Sequence, residues 1–154
     1  MLHYETIPVT PFEQNCSLIW CDESKTCALI DPGGDLDVLI QRIQSLDLRL
    51  EQIWVTHAHI DHAGAVGTLA SQLDVPIIGP HKEDQFWIDL LPQQGARYGF
   101  EHATSFLPTR WLNDLDHVQL GQHQLLVRHC PGHTPGHVIF YSPELNRAFV
   151  GDVL

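Results

Sequence analysis

The segment Thr56-His57-Ala58-His59-Ile60-Asp61-His62-Ala63-Gly64 constrains this chain more than any other. It sets three imidazoles and a carboxylate between a short apolar run, Gln52 to Thr56, and a stretch rich in Ala, Leu and Val, Ala63 to Leu73. That pattern places ligating groups at a strand-to-helix junction. Extended backbone sends alternate side chains to one side, which predicts that His57, His59 and Asp61 converge. His62 breaks this period as the chain turns into the helix and is expected to serve a neighbouring position. Neutral imidazole and carboxylate suit zinc and related divalent ions. Four such groups within six residues exceed what one tetrahedral ion that keeps a water can use, so two adjacent ions are expected.

Two more segments add candidates. Cys130-Pro131-Gly132-His133-Thr134-Pro135-Gly136-His137 puts His133 in a rigid turn between two strands. The run Arg147 to Val150 ends in Gly151-Asp152, a carboxylate at a strand end whose two oxygens can bridge two ions. Strand ends are where sites assemble in layered α/β folds. Asp31, before Pro32-Gly33, reads equally as a turn former. His137 is expected to make a structural hydrogen bond, and His3, His81, His102, His117, His123 and His129 read as ordinary. Phe86, Trp87 and Trp111 read as core or lid packing.

The rest of the chain supplies the frame. Tyr4 to Val9, Cys16 to Trp20 and Thr26 to Ile30 read as a β-meander. Asp35 is expected to cap a helix carrying Leu36, Leu39, Ile40, Ile43 and Leu46 at helical spacing. Val75 to Ile78 reads as a strand, Lys82 to Leu91 as a helix and Gln93 to Asn113 as irregular. Strands return at His117 to Leu120, Gln124 to His129, His137 to Tyr141 and Arg147 to Val150. This order predicts an α/β sandwich with mixed sheets covered by helices.

Charge and cysteine usage narrow the function classes. Eight Lys and Arg against 19 Asp and Glu give a net charge of −11, which disfavours a nucleic-acid partner. No apolar run approaches the roughly 20 residues of a membrane helix, so no membrane partner is expected. The opening Met1-Leu2-His3-Tyr4-Glu5 lacks the basic-then-apolar layout of a signal peptide, and the expected address is cytoplasmic. Cys16, Cys21, Cys27 and Cys130 form no Cys-x-x-Cys pair and are expected to be plain buried thiols.

With Asp31-Pro32-Gly33, the Thr56 to Gly64 motif, the Pro131 to His137 motif and Gly151-Asp152 in this order, the chain resembles the metallo-β-lactamase-fold hydrolases. Within them it is most similar to short glyoxalase II-like (hydroxyacylglutathione hydrolase-like) proteins. The resemblance implies an α/β fold, the αββα sandwich. It implies that His57, His59 and His133 hold one metal, that Asp61 and His62 hold a second, and that Asp152 bridges them. Asp31 would support the loop that carries these ligands. Two zinc ions are implied, with iron or manganese as alternatives. The implied reaction is thioester hydrolysis, S-lactoylglutathione to lactate and glutathione, with Asp61 orienting the attacking water. A thiolate leaving group needs little acid assistance, in keeping with the absence of an obvious general acid.

Members of that family usually continue well past the Gly-Asp turn. The expectation is therefore the N-terminal two-thirds of a single metallo-β-lactamase-like domain, residues 1–154, with a final His ligand and glutathione-holding residues outside it. An apolar face left uncovered would favour self-association. Two other readings remain: a mononuclear iron persulfide dioxygenase of the same fold, and a catalytically silent metal-binding fragment.

Overall fold

The computed structural model describes residues 1–100 and 102–152. The meander is present as β1 (Leu2–Val9), β2 (Gln14–Cys21) and β3 (Thr26–Ile30), paired antiparallel. Helix α1 (Leu36–Ser45) then returns the chain to β4 (Arg49–Trp54), which lies parallel to β3. Short α2 (Ile60–Ala63) and α3 (Val66–Leu73) lead to β5 (Ile77–Ile78), parallel to β4. A 3-10 turn over Lys82–Asp84 precedes α4 (Gln85–Asp89) and α5 (Leu91–Tyr98). The second sheet is β6 (His117–Leu120), β7 (His123–His129), β8 (Val138–Ser142) and β9 (Arg147–Phe149).

The first sheet is mixed, as expected, and the second is wholly antiparallel. The connections in the second sheet are too short for the crossovers that parallel pairing requires.

Alternation along β2, β3 and β4 sorts the core into two layers. Leu18, Leu29 and Ile53 pack with Leu39, Ile43, Val66 and Leu69 beneath the helices. Their neighbours Ile19, Ala28 and Trp54 pack against Val127, Val138 and Phe140 of the second sheet. Trp54 stacks on Phe140 with ring centroids 5.5 Å apart, at the seam between the sheets. Among the described residues these are three of the four layers of the αββα sandwich.

Three local expectations are corrected. Asp35 does not cap α1, because its backbone is left-handed and its carboxylate accepts the Thr10 amide at 2.8 Å. The helix expected from Ala63 begins earlier, at Ile60, and breaks before Val66, so Asp61 and His62 ride on helical backbone. Part of the irregular stretch is α5, where Pro92 fits the first turn because an amide there has no helical acceptor. Trp87 and Trp111 do pack against the helix-side core, while Phe86 is exposed.

Candidate metal centre

The site forms at the carboxyl ends of β3, β4, β7 and β9, where the chain leaves each strand. Asp31 follows β3 in left-handed backbone and is almost fully buried. Its carboxylate accepts the Thr56 amide at 2.7 Å, the Thr56 hydroxyl at 2.5 Å and His62 Nδ1 at 2.9 Å. Because the Thr56 hydroxyl donates to Asp31, its oxygen is left to accept from His57 Nδ1 at 2.9 Å. That network puts the proton of His57 on Nδ1 and leaves Nε2 bare.

His57 Nε2 is buried, has no hydrogen-bond partner among the described residues, and lies 3.5 Å from Asp152 Oδ2. A bare nitrogen facing a carboxylate oxygen with no proton between them is costly unless a cation joins them. His59 Nδ1 and His133 Nε2 approach to 3.0 Å, and His133 Nε2 is 3.1 Å from the same Asp152 oxygen. Ligand atoms of His57, His59, His133 and Asp152 all fall within 4.8 Å of one another. A second group of the same tightness joins Asp61, His62 and Asp152. His62 Nε2 stands 3.1 Å from Asp152 and 3.6 Å from Asp61. The donor chemistry and the orphaned nitrogen fit divalent metal, and the structure brings all six sequence-derived candidates together.

The expected mechanism of convergence needs amending for one of them. Extended backbone reaches only as far as His59, and Asp61 arrives instead from the first turn of α2. The Gly151-Asp152 turn is held against the centre by close packing. A Cβ on Gly151, whose φ is 58°, would lie 2.6 Å from Thr56 Oγ1 and 2.9 Å from His137 Nε2. His137 makes the structural bond expected of it, Nε2 to the Val150 carbonyl at 2.9 Å, and stacks on His57.

Electrostatics follow from this crowding. Burial, then the neighbouring His57 and His133, lowers His59 to about 4. Burial and His57 likewise lower His137 to about 4. Burial opposes charge on His62 too, but the Asp31 hydrogen bond with Asp61 and Asp152 outweighs it and raises the group to about 9. The facing His57, with His62 and His133, holds the Asp152 carboxyl well below the usual carboxylate range.

One participant has no signature in the sequence. Asp84 is completely buried, and its carboxylate accepts the Ala58 amide at 2.9 Å, the Thr134 hydroxyl at 2.9 Å and the Gly136 amide at 2.7 Å. It therefore ties the loop of His57 and His59 to the loop of His133. The tie explains Gly136, where a Cβ would stand 2.5 Å from the Asp84 amide nitrogen. Beside the centre, Trp87 meets the His59 ring edge-on at 4.8 Å, and an open hollow of about 310 Å³ is walled by Phe12, Trp87 and Tyr98.

The family model of the metallo-beta-lactamase superfamily matches residues 9–154. The chain belongs to that superfamily. That membership, together with a relative that is a hydroxyacylglutathione hydrolase, makes it a metal-dependent hydrolase. Hydroxyacylglutathione hydrolase GloC of Haemophilus influenzae is 47% identical over 154 residues, a match spanning 99% of this chain and 72% of that protein. The probable metallo-hydrolase YqgX of Bacillus subtilis is 30% identical over 156 residues, with 99% and 72% covered. Among solved structures, BLEG-1 B3 metallo-beta-lactamase aligns with a TM-score of 0.86 at 30% identity, covering 99% of this chain and 73% of that one. TTHA1623 in a di-iron-bound form gives 0.85 at 34%, covering 97% and 72%. No described helix of this superfamily member is long and apolar enough to cross a membrane.

Proposed function

We propose that this protein hydrolyses the thioester of a hydroxyacyl-glutathione at a binuclear centre, with zinc as the resident metal. His57, His59 and His133 would hold one ion and Asp61 and His62 the other, with Asp152 available to both. The observation that carries the reading is that Asp152 belongs to both donor groups, so a single carboxylate can serve two ions. Ions bound there lower the pKa of water to about 7 and polarise the acyl carbonyl.

The chain's own residues do the positioning. Asp61 is about a quarter exposed and accepts a hydrogen bond from the attacking water, fixing its line of approach. Asp31 and Thr56 keep His62 and His57 in the tautomers that present Nε2 to the site. Phe12, Trp87 and Tyr98 give the open hollow beside His59 an apolar wall against which a substrate arm would lie. The glutathione thiolate leaves without an acid, being a stable anion close to neutral pH. The choice of a thioester rests on the likeness to GloC of Haemophilus influenzae.

The test follows thiol release from S-lactoylglutathione with and without a chelator, and again for His57→Ala, beside a β-lactam ring-opening assay. Thioester cleavage lost in both treatments is the expected result. Cleavage that survives both, or β-lactam opening with no thioester cleavage, would overturn the proposal.

A further inference from the structure

Strand β2 begins beside the metal centre, where Gln14 Nε2 donates to the Asp31 carbonyl, and ends at Cys21. Strand β7 reaches the centre at its carboxyl end, where His129 pairs with Val138, and starts at His123. Cys21 and His123 therefore meet at the opposite pole of the sandwich, one from each sheet. Cys21 Sγ, a carboxylate oxygen of Glu23 and a ring nitrogen of His123 lie within 4.8 Å of one another.

The surroundings are built for these groups. Glu144 Oε1 accepts from His123 Nδ1 at 2.7 Å, which fixes the tautomer and leaves Nε2 as the nitrogen free to ligate. That Nε2 is buried, finds no nitrogen or oxygen partner among the described residues and is left facing the Cys21 thiol. Cys21 is only 2% exposed. Burial alone would raise its thiol, yet the Ser24 hydroxyl, the amides of Ser24 and Glu23, and His123 hold it below the ordinary value. Glu23 lies on the exposed rim, and the N-terminal ammonium engages its Oε1, leaving the other oxygen.

We propose that Cys21, Glu23 and His123 form a separate structural site for a thiophilic divalent ion of the zinc class, pinning the β2–β3 hairpin of one sheet to β7 of the other. Thiolate, imidazole and carboxylate are zinc-type donors, with water completing a tetrahedron. The orphaned Nε2 then has its partner, and Glu144 acts as the carboxylate that orients a ligating histidine. This site is independent of the hydrolytic centre, so it stands or falls apart from the proposed reaction.

Cobalt(II) distinguishes the two places, because only thiolate ligation gives an intense near-ultraviolet charge-transfer band and the hydrolytic centre offers no thiolate. Co²⁺ is titrated into the metal-free chain, its Cys21→Ser, His123→Gln and Cys130→Ser variants, and a His57→Ala variant, with folding followed by circular dichroism. The expected result is one equivalent of thiolate-bound cobalt in the parent, Cys130→Ser and His57→Ala chains, and none in Cys21→Ser. His123→Gln, which keeps the thiol, should bind at least tenfold more weakly, and it decides the matter if Cys21→Ser fails to fold. A folded parent chain without the band, a band that persists in Cys21→Ser, or a band lost only in Cys130→Ser would overturn the proposal; a thiol that merely donates to the imidazole binds no ion.

Discussion

Asp31 grips His62 through Nδ1 at 2.9 Å, and so commits Nε2 to a position 3.1 Å from Asp152. Replacing Asp31 by Ala frees that ring and also strips the Thr56 amide and hydroxyl of their acceptor. Metal affinity is expected to fall by roughly 10- to 100-fold, the usual cost of losing a partner behind a ligand. Competition against a chromophoric chelator measures it.

Asp84→Ala acts without touching a ligand. It leaves the Ala58 and Gly136 amides and the Thr134 hydroxyl unpaired in the interior, each worth roughly 1–3 kcal/mol. Urea unfolding should show a loss of about 3 kcal/mol or more, with metal stoichiometry reduced at the His133 side.

The metal-free chain should be most stable near pH 6.5. Below that value His59 and His137, lowered to about 4, take up protons in the unfolded chain before the folded one, so stability falls as pH drops toward 4. Above it the reverse holds for His62, raised to about 9, whose contribution of roughly 3 kcal/mol is lost as pH rises through 9. Metal at Nε2 displaces that proton. At pH 7 its binding should therefore release close to one proton from His62, read by calorimetry in buffers of differing ionisation heat.

Burial, then Glu51, pushes the Cys27 thiol up to about 12, and burial followed by Asp31 raises Cys16 as well. Both are expected to resist iodoacetamide in the folded chain at pH 8.5 and to react once urea is added. Unfolded thiols ionise near 8.5, so these two sites also make stability fall as pH climbs above that value. Peptide mapping of the alkylated cysteines checks the first expectation and urea midpoints the second.

What the sequence disclosed and what it hid divide by distance along the chain. His57, His59, Asp61 and His62 are readable because one strand-to-helix junction carries them all, and His133 and Asp152 because each sits in a Gly-bearing turn at a strand end. Asp84 is invisible, since its partners lie 26, 50 and 52 residues away and nothing in Lys82-Glu83-Asp84 marks a buried carboxylate. The same distance effect misleads at Asp35, where local capping chemistry loses to an amide 25 residues earlier. Helix α5 is masked by Pro92 and Gly95, which read as punctuation. The antiparallel second sheet follows from loop lengths that hydrophobic pattern alone does not weigh.

The proposed ligands divide between the layers: His57, His59, Asp61 and His62 hang from the first sheet, His133 and Asp152 from the second. An ion bonded to both groups would be a rivet through the sandwich at one end of the Trp54–Phe140 seam. On the binuclear reading its withdrawal would loosen one end of an apolar joint that Trp54 and Phe140 still hold shut, so the metal would set how firmly the two sheets stay joined beside the site rather than whether they join.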